Sequence, residues 1–157
     1  HIAVEFGKYF NMDEVTMILT AEASGIALAL AAAHFLDDIP VVFAKKSPAA
    51  NQSADMLTAV AHSFTHGNDN ALRVDRRYLP AGSRVLVVDD FLADGEASRA
   101  LISIVEQAGC TLVGVGIAVE KGFQPGGRKL REAGVNLKSL AIVTSIQDGR
   151  IQLADDD

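Results

Sequence analysis

Two adjacent aspartates, Asp89 and Asp90, stand between an aliphatic run and a short glycine-bearing segment, VLVVDDFLADGEAS over 85–98. Ionised carboxylates accept hydrogen bonds from vicinal hydroxyls, and they can hold a hydrated divalent cation that bridges to phosphate oxygens. The residues that follow offer the complementary chemistry. Leu101, Ile104, Val105 and Ala108 recur at helical spacing, and Gly109 stands where a helix C-terminus takes a left-handed residue. Ala93, Asp94, Gly95, Glu96 and Ala97 therefore feed a helix N-terminus, whose N–H groups lack intrahelical partners and whose partial positive charge favours a phosphate. Acids that repel phosphate and amides that attract it are reconciled by a phosphorylated ribose, with its hydroxyls on the acids. A plainer reading stands beside this one: one Asp caps the turn and the other is solvated. Local spacing alone does not choose between them.

The elements that must position these residues follow from the hydrophobic pattern. The aliphatic run is short, β-branched and unalternating, which suits a parallel strand buried on both faces, and open α/β sheets bind ligands at the carboxyl edge of such strands. A first strand is expected over 15–20 and an Ala-rich helix over 25–36, broken by Asp37, Asp38 and Pro40 ahead of a strand over 41–44. Residues 47–55 are predicted to form a flexible loop. Segments 57–63 and 72–74 can pair as strands around a polar turn over 65–70, with a second turn over 80–83. A strand over 111–120, a short helix over 128–133, and strands over 140–144 and 151–153 complete an alternating pattern. Together these predict a single α/β domain over 1–157 with a mostly parallel central sheet flanked by helices.

Composition narrows the function classes. The 157 residues, 49% of them hydrophobic, suffice for one domain with a buried sheet. A net charge of -6 without a dense basic stripe argues against nucleic acid as a partner. A small anion needs only a local nest of amides and a few cations. The single cysteine, Cys110, excludes an intrachain disulfide and points to a cytoplasmic protein. The longest apolar stretch, 25–33, is too short to cross a bilayer, so no membrane partner is expected. His34, His62 and His66 lie at unrelated spacings, and no metal-binding cluster is assigned. Gly114-Val115-Gly116 lacks a third glycine and is not a dinucleotide fingerprint. Ile2, Phe6 and Tyr9 or Phe10 keep helical spacing, so the chain is expected to begin within a helix.

The segment 85–98 resembles the phosphoribosyl pyrophosphate signature of the type I phosphoribosyltransferases, in which hydrophobic residues precede two acids and a 5′-phosphate loop. EASGIALAL at 22–30, PVVFAKK at 40–46, DMLTAVAHSFT at 55–65 and IAVEKGFQPG at 117–126 are similar to segments of the bacterial xanthine phosphoribosyltransferases, in the same order along nearly the whole chain. DDFLADG followed by EKGFQPG is far more specific than the acid pair alone.

The resemblance implies the type I phosphoribosyltransferase fold and a role for each matching residue. Asp89 and Asp90 would hold the ribose, and residues 93–97 the 5′-phosphate. Ser24, which local pattern reads as a natural N-cap, would with Gly25 line the pyrophosphate loop. Lys45 and Lys46 read as a solvated strand end; by resemblance Lys45 stands where the family usually has an arginine that reaches pyrophosphate, sometimes across a dimer interface. Lys121 can snorkel at a strand edge, or, as the resemblance implies, contact a purine carbonyl with Phe123 packed on the ring. Asp94 and Glu96 depart from the family, which commonly carries Thr or Asn and a neutral residue there. Ser98 could supply a compensating hydroxyl.

The implied enzyme is a pentosyltransferase of purine salvage. It would transfer 5-phosphoribose from phosphoribosyl pyrophosphate to N9 of xanthine, forming xanthosine 5′-monophosphate, with Mg2+ carried mainly by the pyrophosphate donor. It would act as a homodimer and close the 47–55 loop over the site. The resemblance also implies that a base-selecting N-terminal hood segment is missing from this chain. Alternatives are a phosphoribosyltransferase for adenine, hypoxanthine/guanine or orotate, and a non-catalytic regulator that senses phosphoribosyl pyrophosphate.

Overall fold

The aliphatic segments of the chain stack side by side as one six-stranded sheet in the computed structural model, which describes residues 2–46, 55–61 and 70–154. The chain runs through α1 (Ile2–Phe6), β1 (Met17–Ala21), α2 (Gly25–Phe35), β2 (Val41–Ala44), β3 (Met56–Ala61), β4 (Asn70–Asp75), β5 (Arg84–Leu92), α3 (Glu96–Gln107), β6 (Thr111–Lys121), α4 (Gly126–Glu132), β7 (Leu137–Gln147) and β8 (Arg150–Leu153). The sheet order is β2-β1-β5-β6-β7-β8, parallel throughout except for the final β7–β8 pair. β3 and β4 form a separate antiparallel hairpin. The expected 47–55 loop, apart from Asp55, and the positions of His62, His66 and most of the 65–70 turn lie outside the described residues.

The unalternating VLVV of β5 is explained by two apolar layers. Val85 and Val87 pack with Leu101, Ile104 and Val105 of α3 and with the hairpin residues Leu57, Leu72 and Val74. Leu86 and Val88 pack on the opposite side with Phe6, Phe10 and Ala29, Ala32 and Ala33 of α2. A strand that must satisfy both faces has no polar position to spare.

Order along the sheet matters more to function than the elements themselves. From β1 the chain crosses through α2 to β2 on one side, whereas from β5 it crosses through α3 to β6 on the other. The strand order therefore reverses between β1 and β5. Parallel sheets open a crevice at the carboxyl ends of the two strands flanking such a reversal.

Three expectations are corrected. The first strand begins at Met17 instead of at residue 15, because Met12–Glu14 forms a 3₁₀ turn and Val15 N–H donates to the Met12 carbonyl. Segments 140–144 and 151–153 belong to one antiparallel hairpin, with β7 extended to Leu137–Gln147. Asp148 (φ 50°) and Gly149 (φ 72°) connect its strands, the left-handed pair that a tight two-residue hairpin turn demands. Finally, α4 starts at Gly126, two residues before its expected start.

Gly114 and Gly116, rejected above as a dinucleotide motif, have a packing role. A Cβ on Gly116 would stand 2.9 Å from the Phe6 ring, and one on Gly114 would stand 2.4 Å from the Phe10 ring and 2.8 Å from the Asn136 carbonyl oxygen. The two glycines make room for the aromatic layer that seals this face of β6. Because backbone cannot yield as a side-chain tip does, Gly114→Ala should destabilise the fold by about 1–3 kcal/mol, measured by denaturant unfolding. An unchanged midpoint and slope would contradict this packing.

Candidate active site

At the carboxyl ends of β1 and β5 two loops meet. β1 leads through Glu22, Ala23 and Ser24 into α2, and the peptide bond between Glu22 and Ala23 is cis. β5 runs on through both acids to Leu92, with Asp89 paired to Ile117 and Leu92 to Glu120 in register. The loops touch closely: a Cβ on Gly25 would lie 2.9 Å from Asp89 Oδ1 and 2.1 Å from Thr20 Oγ1. Only glycine can open α2 here.

Asp89 is 7% exposed. Burial pushes its carboxyl up to about 7, opposed by the Asp90 N–H that donates to Asp89 Oδ1 at 3.0 Å; the neighbouring Asp90 charge raises it further and the Lys46 charge lowers it. Thr20, fully buried at the same spot, has a hydroxyl without a hydrogen-bond partner among the described residues. Asp90 is only partly buried. One carboxyl is thus withheld from water and the other is accessible, a distinction that adjacent identical residues do not announce.

The α3 loop is built as its sequence suggests. Gly95 takes φ 86° at the N-cap, and α3 begins at Glu96. The loop is also held from outside. Gly126 N–H donates to the Ala93 carbonyl at 3.1 Å, and a Cβ on Gly126 would fall 2.4 Å from that oxygen and 2.6 Å from Gly95 N. α4 in turn is anchored to β6. Arg131 donates to both carboxylate oxygens of the buried Glu120, at 2.8 and 2.7 Å, and Ser139 Oγ donates at 2.5 Å. Burial pushes the Glu120 carboxyl up, but the Arg131 and Ser139 hydrogen bonds and the Arg131 charge outweigh it and hold it below its ordinary value. A Cβ on Gly127 would collide with Glu120 Oε1. These supports were missed from sequence, although the adjacent glycines 126 and 127 were a visible sign of close packing.

The structure brings Asp89, Asp90, Ser24, Gly25, Ala93, Asp94, Gly95, Glu96 and Ala97 to one end of the sheet. It modifies several expectations. Ser24 occupies the N-cap position of α2 but with helical backbone (φ -65°, ψ -35°), and its side chain makes no capping bond. A side-chain cap needs extended backbone at that residue. Of the two lysines after β2, Lys46 is the one whose charge acts on Asp89. Lys45 instead pairs with Arg73 through backbone hydrogen bonds of 2.9 Å, and it lines a groove of about 430 Å³ with Val41, Phe43, Met56 and Tyr78. Successive residues of an extended chain point to opposite sides. The Asp94 and Glu96 side chains are engaged within the loop: Asp94 Oδ1 accepts from Glu96 N–H, and Glu96 pairs with Arg99. Ser98 is buried.

Lys121 closes β6 beside two largely exposed rings. Its ammonium lies 5.9 Å from the centroid of Phe91, which is 54% exposed, and Phe123 is 50% exposed. Phe91 was not singled out from sequence, where it reads as one more apolar residue of the strand. Among the described residues no group of three or more His, Cys, Asp or Glu converges, and no helix is long and apolar enough to cross a membrane.

A strand reversal flanked by an acid pair and two tight loops is the place where open α/β sheets bind ligands. The phosphoribosyl transferase domain profile matches residues 5–149, and the chain belongs to that family. It is 47% identical over 150 residues to xanthine phosphoribosyltransferase 1 of Clostridium perfringens, covering 96% of this chain and 79% of the relative. It is also 49% identical over 146 residues to the xanthine phosphoribosyltransferase of Bifidobacterium animalis subsp. lactis, covering 93% and 76% respectively. Among solved structures, an adenine phosphoribosyltransferase of Thermoanaerobacter pseudethanolicus superposes with a TM-score of 0.76 at 25% identity, over 90% of this chain and 77% of that one. The fold is the type I phosphoribosyltransferase fold.

The buried carboxyl generates a prediction about stability. Asp89 holds its proton more tightly folded than unfolded, so its contribution to stability is present below the ordinary carboxylate range and is lost as pH rises towards about 7. Asp89→Asn keeps the acceptor for Asp90 N–H and removes the charge. The variant should therefore exceed the parent in stability at pH 8 by on the order of 3 kcal/mol, with the gap closing near pH 4. Chemical denaturation of both proteins across this range measures it, and a pH-independent gap would contradict the assignment.

Proposed function

We propose that this chain transfers 5-phosphoribose from phosphoribosyl pyrophosphate to N9 of xanthine, releasing pyrophosphate and forming xanthosine 5′-monophosphate. The observation that carries the reading is the meeting of Gly25 with the Asp89 carboxyl at the strand reversal, which puts acids and two amide-bearing loops in one crevice. The choice of base follows the relatives of 47–49% identity, which are named for xanthine.

In this reading Asp90 and Asp89 accept hydrogen bonds from the ribose hydroxyls, and the N–H groups of residues 93–97 bind the 5′-phosphate. Ser24, Gly25 and a lysine after β2 face the pyrophosphate. Lys121 donates to an oxygen of the oxopurine, whose ring packs on Phe123 and Phe91. Holding donor and base in line converts an encounter into an intramolecular displacement, and fixed dipoles and charges stabilise the departing pyrophosphate.

Two hard oxygen donors on a sheet edge fit Mg2+, which keeps most of its waters and takes one or two carboxylates together with substrate oxygens. It would be carried mainly by the pyrophosphate donor, with Asp89 and Asp90 beside it. When bound, it supplies neutralisation of the charge that develops on pyrophosphate. Asp89 would have to be ionised to hold the cation, and the cation's charge would favour that form.

The protein is read as a cytoplasmic homodimer. Support for the dimer comes from edge strand β2, where the exposed Phe43 adjoins the groove containing Lys45 and Tyr78; sedimentation measures the mass.

Replacing both acids, Asp89→Asn with Asp90→Asn, should lower phosphoribosyl transfer by at least about 10³-fold, since both diol acceptors lose their charge, while circular dichroism shows a folded domain. Turnover equal to the parent's would refute their role. In competition assays with phosphoribosyl pyrophosphate and Mg2+, xanthine should be consumed ahead of hypoxanthine, guanine, adenine and orotate. Preference for another base would overturn the choice of acceptor, and binding of the donor without transfer to any base would favour a sensing regulator.

A further inference from the structure

We infer that Arg99, which has no role in the site described so far, is a substrate-positioning residue. Its guanidinium neutralises Glu96 and so allows the 93–97 loop to accept a phosphate monoester. The inference rests on reading that loop as the 5′-phosphate site.

The difficulty it resolves is electrostatic. Asp94 and Glu96 place two carboxylates within five residues, at a helix N-terminus whose value to a ligand lies in attracting anions. A phosphate dianion entering there meets two like charges, and one of the amides it needs is engaged, because Asp94 Oδ1 accepts from Glu96 N–H at 3.3 Å.

Arg99 lies one turn into α3, and its side chain returns over the loop. Nη2 donates to the Asp94 carbonyl at 3.3 Å and to the Glu96 carboxylate, and Nη1 lies 3.3 Å from where a Cβ would stand on Gly95. One guanidinium thus holds the Asp94 carbonyl and the Glu96 carboxylate, on either side of Gly95. The Glu96 side chain is 17% exposed and that of Arg99 36%, so solvent screens the pair less than it would an open surface pair. Counting Asp94 and Glu96 as one negative charge each and Arg99 as one positive, the loop carries a formal charge of -1 instead of -2. An exposed pair three residues apart on a helix is ordinarily a minor stabiliser. Here it also settles how much repulsion a phosphate meets and which way the Glu96 carboxylate points.

Isothermal titration of ribose 5-phosphate into the full chain at low ionic strength tests this. Arg99→Met should weaken binding by roughly tenfold, the effect of one unit charge across a partly screened site. Arg99→Lys, which keeps the charge, should retain most of the affinity. Combining Arg99→Met with Glu96→Gln should return binding to within about threefold of the parent, because repulsion is removed along with the group that offset it. The tenfold penalty should shrink in about 0.5 M salt. The double variant lacks the ion pair just as the single variant does, so recovered binding separates electrostatic compensation from a merely structural role, and thermal melts report folding of each protein. Parent-like affinity in Arg99→Met, or no recovery in the double variant, overturns the inference. A parent chain that does not bind ribose 5-phosphate overturns the phosphate-site reading itself, and this inference with it.

Discussion

A carboxyl group withdrawn from water governs the layout of this molecule. Asp89 lies in the carboxyl half of the central strand against the opening of α2, close enough that any side chain at Gly25 would displace it. Burying a charge is costly unless it is paired or neutralised, and the protein meets this cost by raising the affinity of Asp89 for its proton. An opposite charge or a set of hydrogen-bond donors brought against it would favour the ionised form that burial disfavours. The Thr20 hydroxyl at the same point, without a hydrogen-bond partner among the described residues, is a second buried polar group left unsatisfied by this corner.

The rest of the fold holds that corner in register. The strand reversal between β1 and β5 sets the two loops side by side. The α3 loop is clamped from its far side by Gly126, whose helix is tied through Arg131 to Glu120 on β6. The support therefore runs from one half-buried ion pair, through a helix of two adjacent glycines, to the backbone of the loop. A surface loop held in one geometry needs such outside anchoring, since its own residues have few apolar contacts.

Much of this was legible in the chain. β2 and α2 fall where hydrophobic period and breakers put them, and the strand–loop–helix unit around the acid pair formed as read, down to the left-handed Gly109. These features depend on residues a few positions apart. The misreadings share an opposite cause. Ser24 does not cap because its backbone is already helical, and a side-chain cap needs extended backbone at that residue. The closing hairpin was missed although Asp148-Gly149 is a turn signal, because short apolar segments do not disclose their direction of pairing. Arg99 was not singled out from sequence, since its return to the Asp94 carbonyl and the Glu96 carboxylate exists only once the loop and helix start have formed.

By itself the sequence determined the kinds of element and the chemistry of each loop, because periodicity, breakers and the order of polar groups act over a turn of helix or a pair of strand residues. Family membership also lay in that linear order, through motifs distributed along nearly the whole chain. Only the tertiary structure decided which acid is buried, which lysine acts on it, and what braces the 93–97 loop. Those outcomes depend on the strand order and on which side of the sheet a residue faces, and both are settled by packing between segments far apart in the chain.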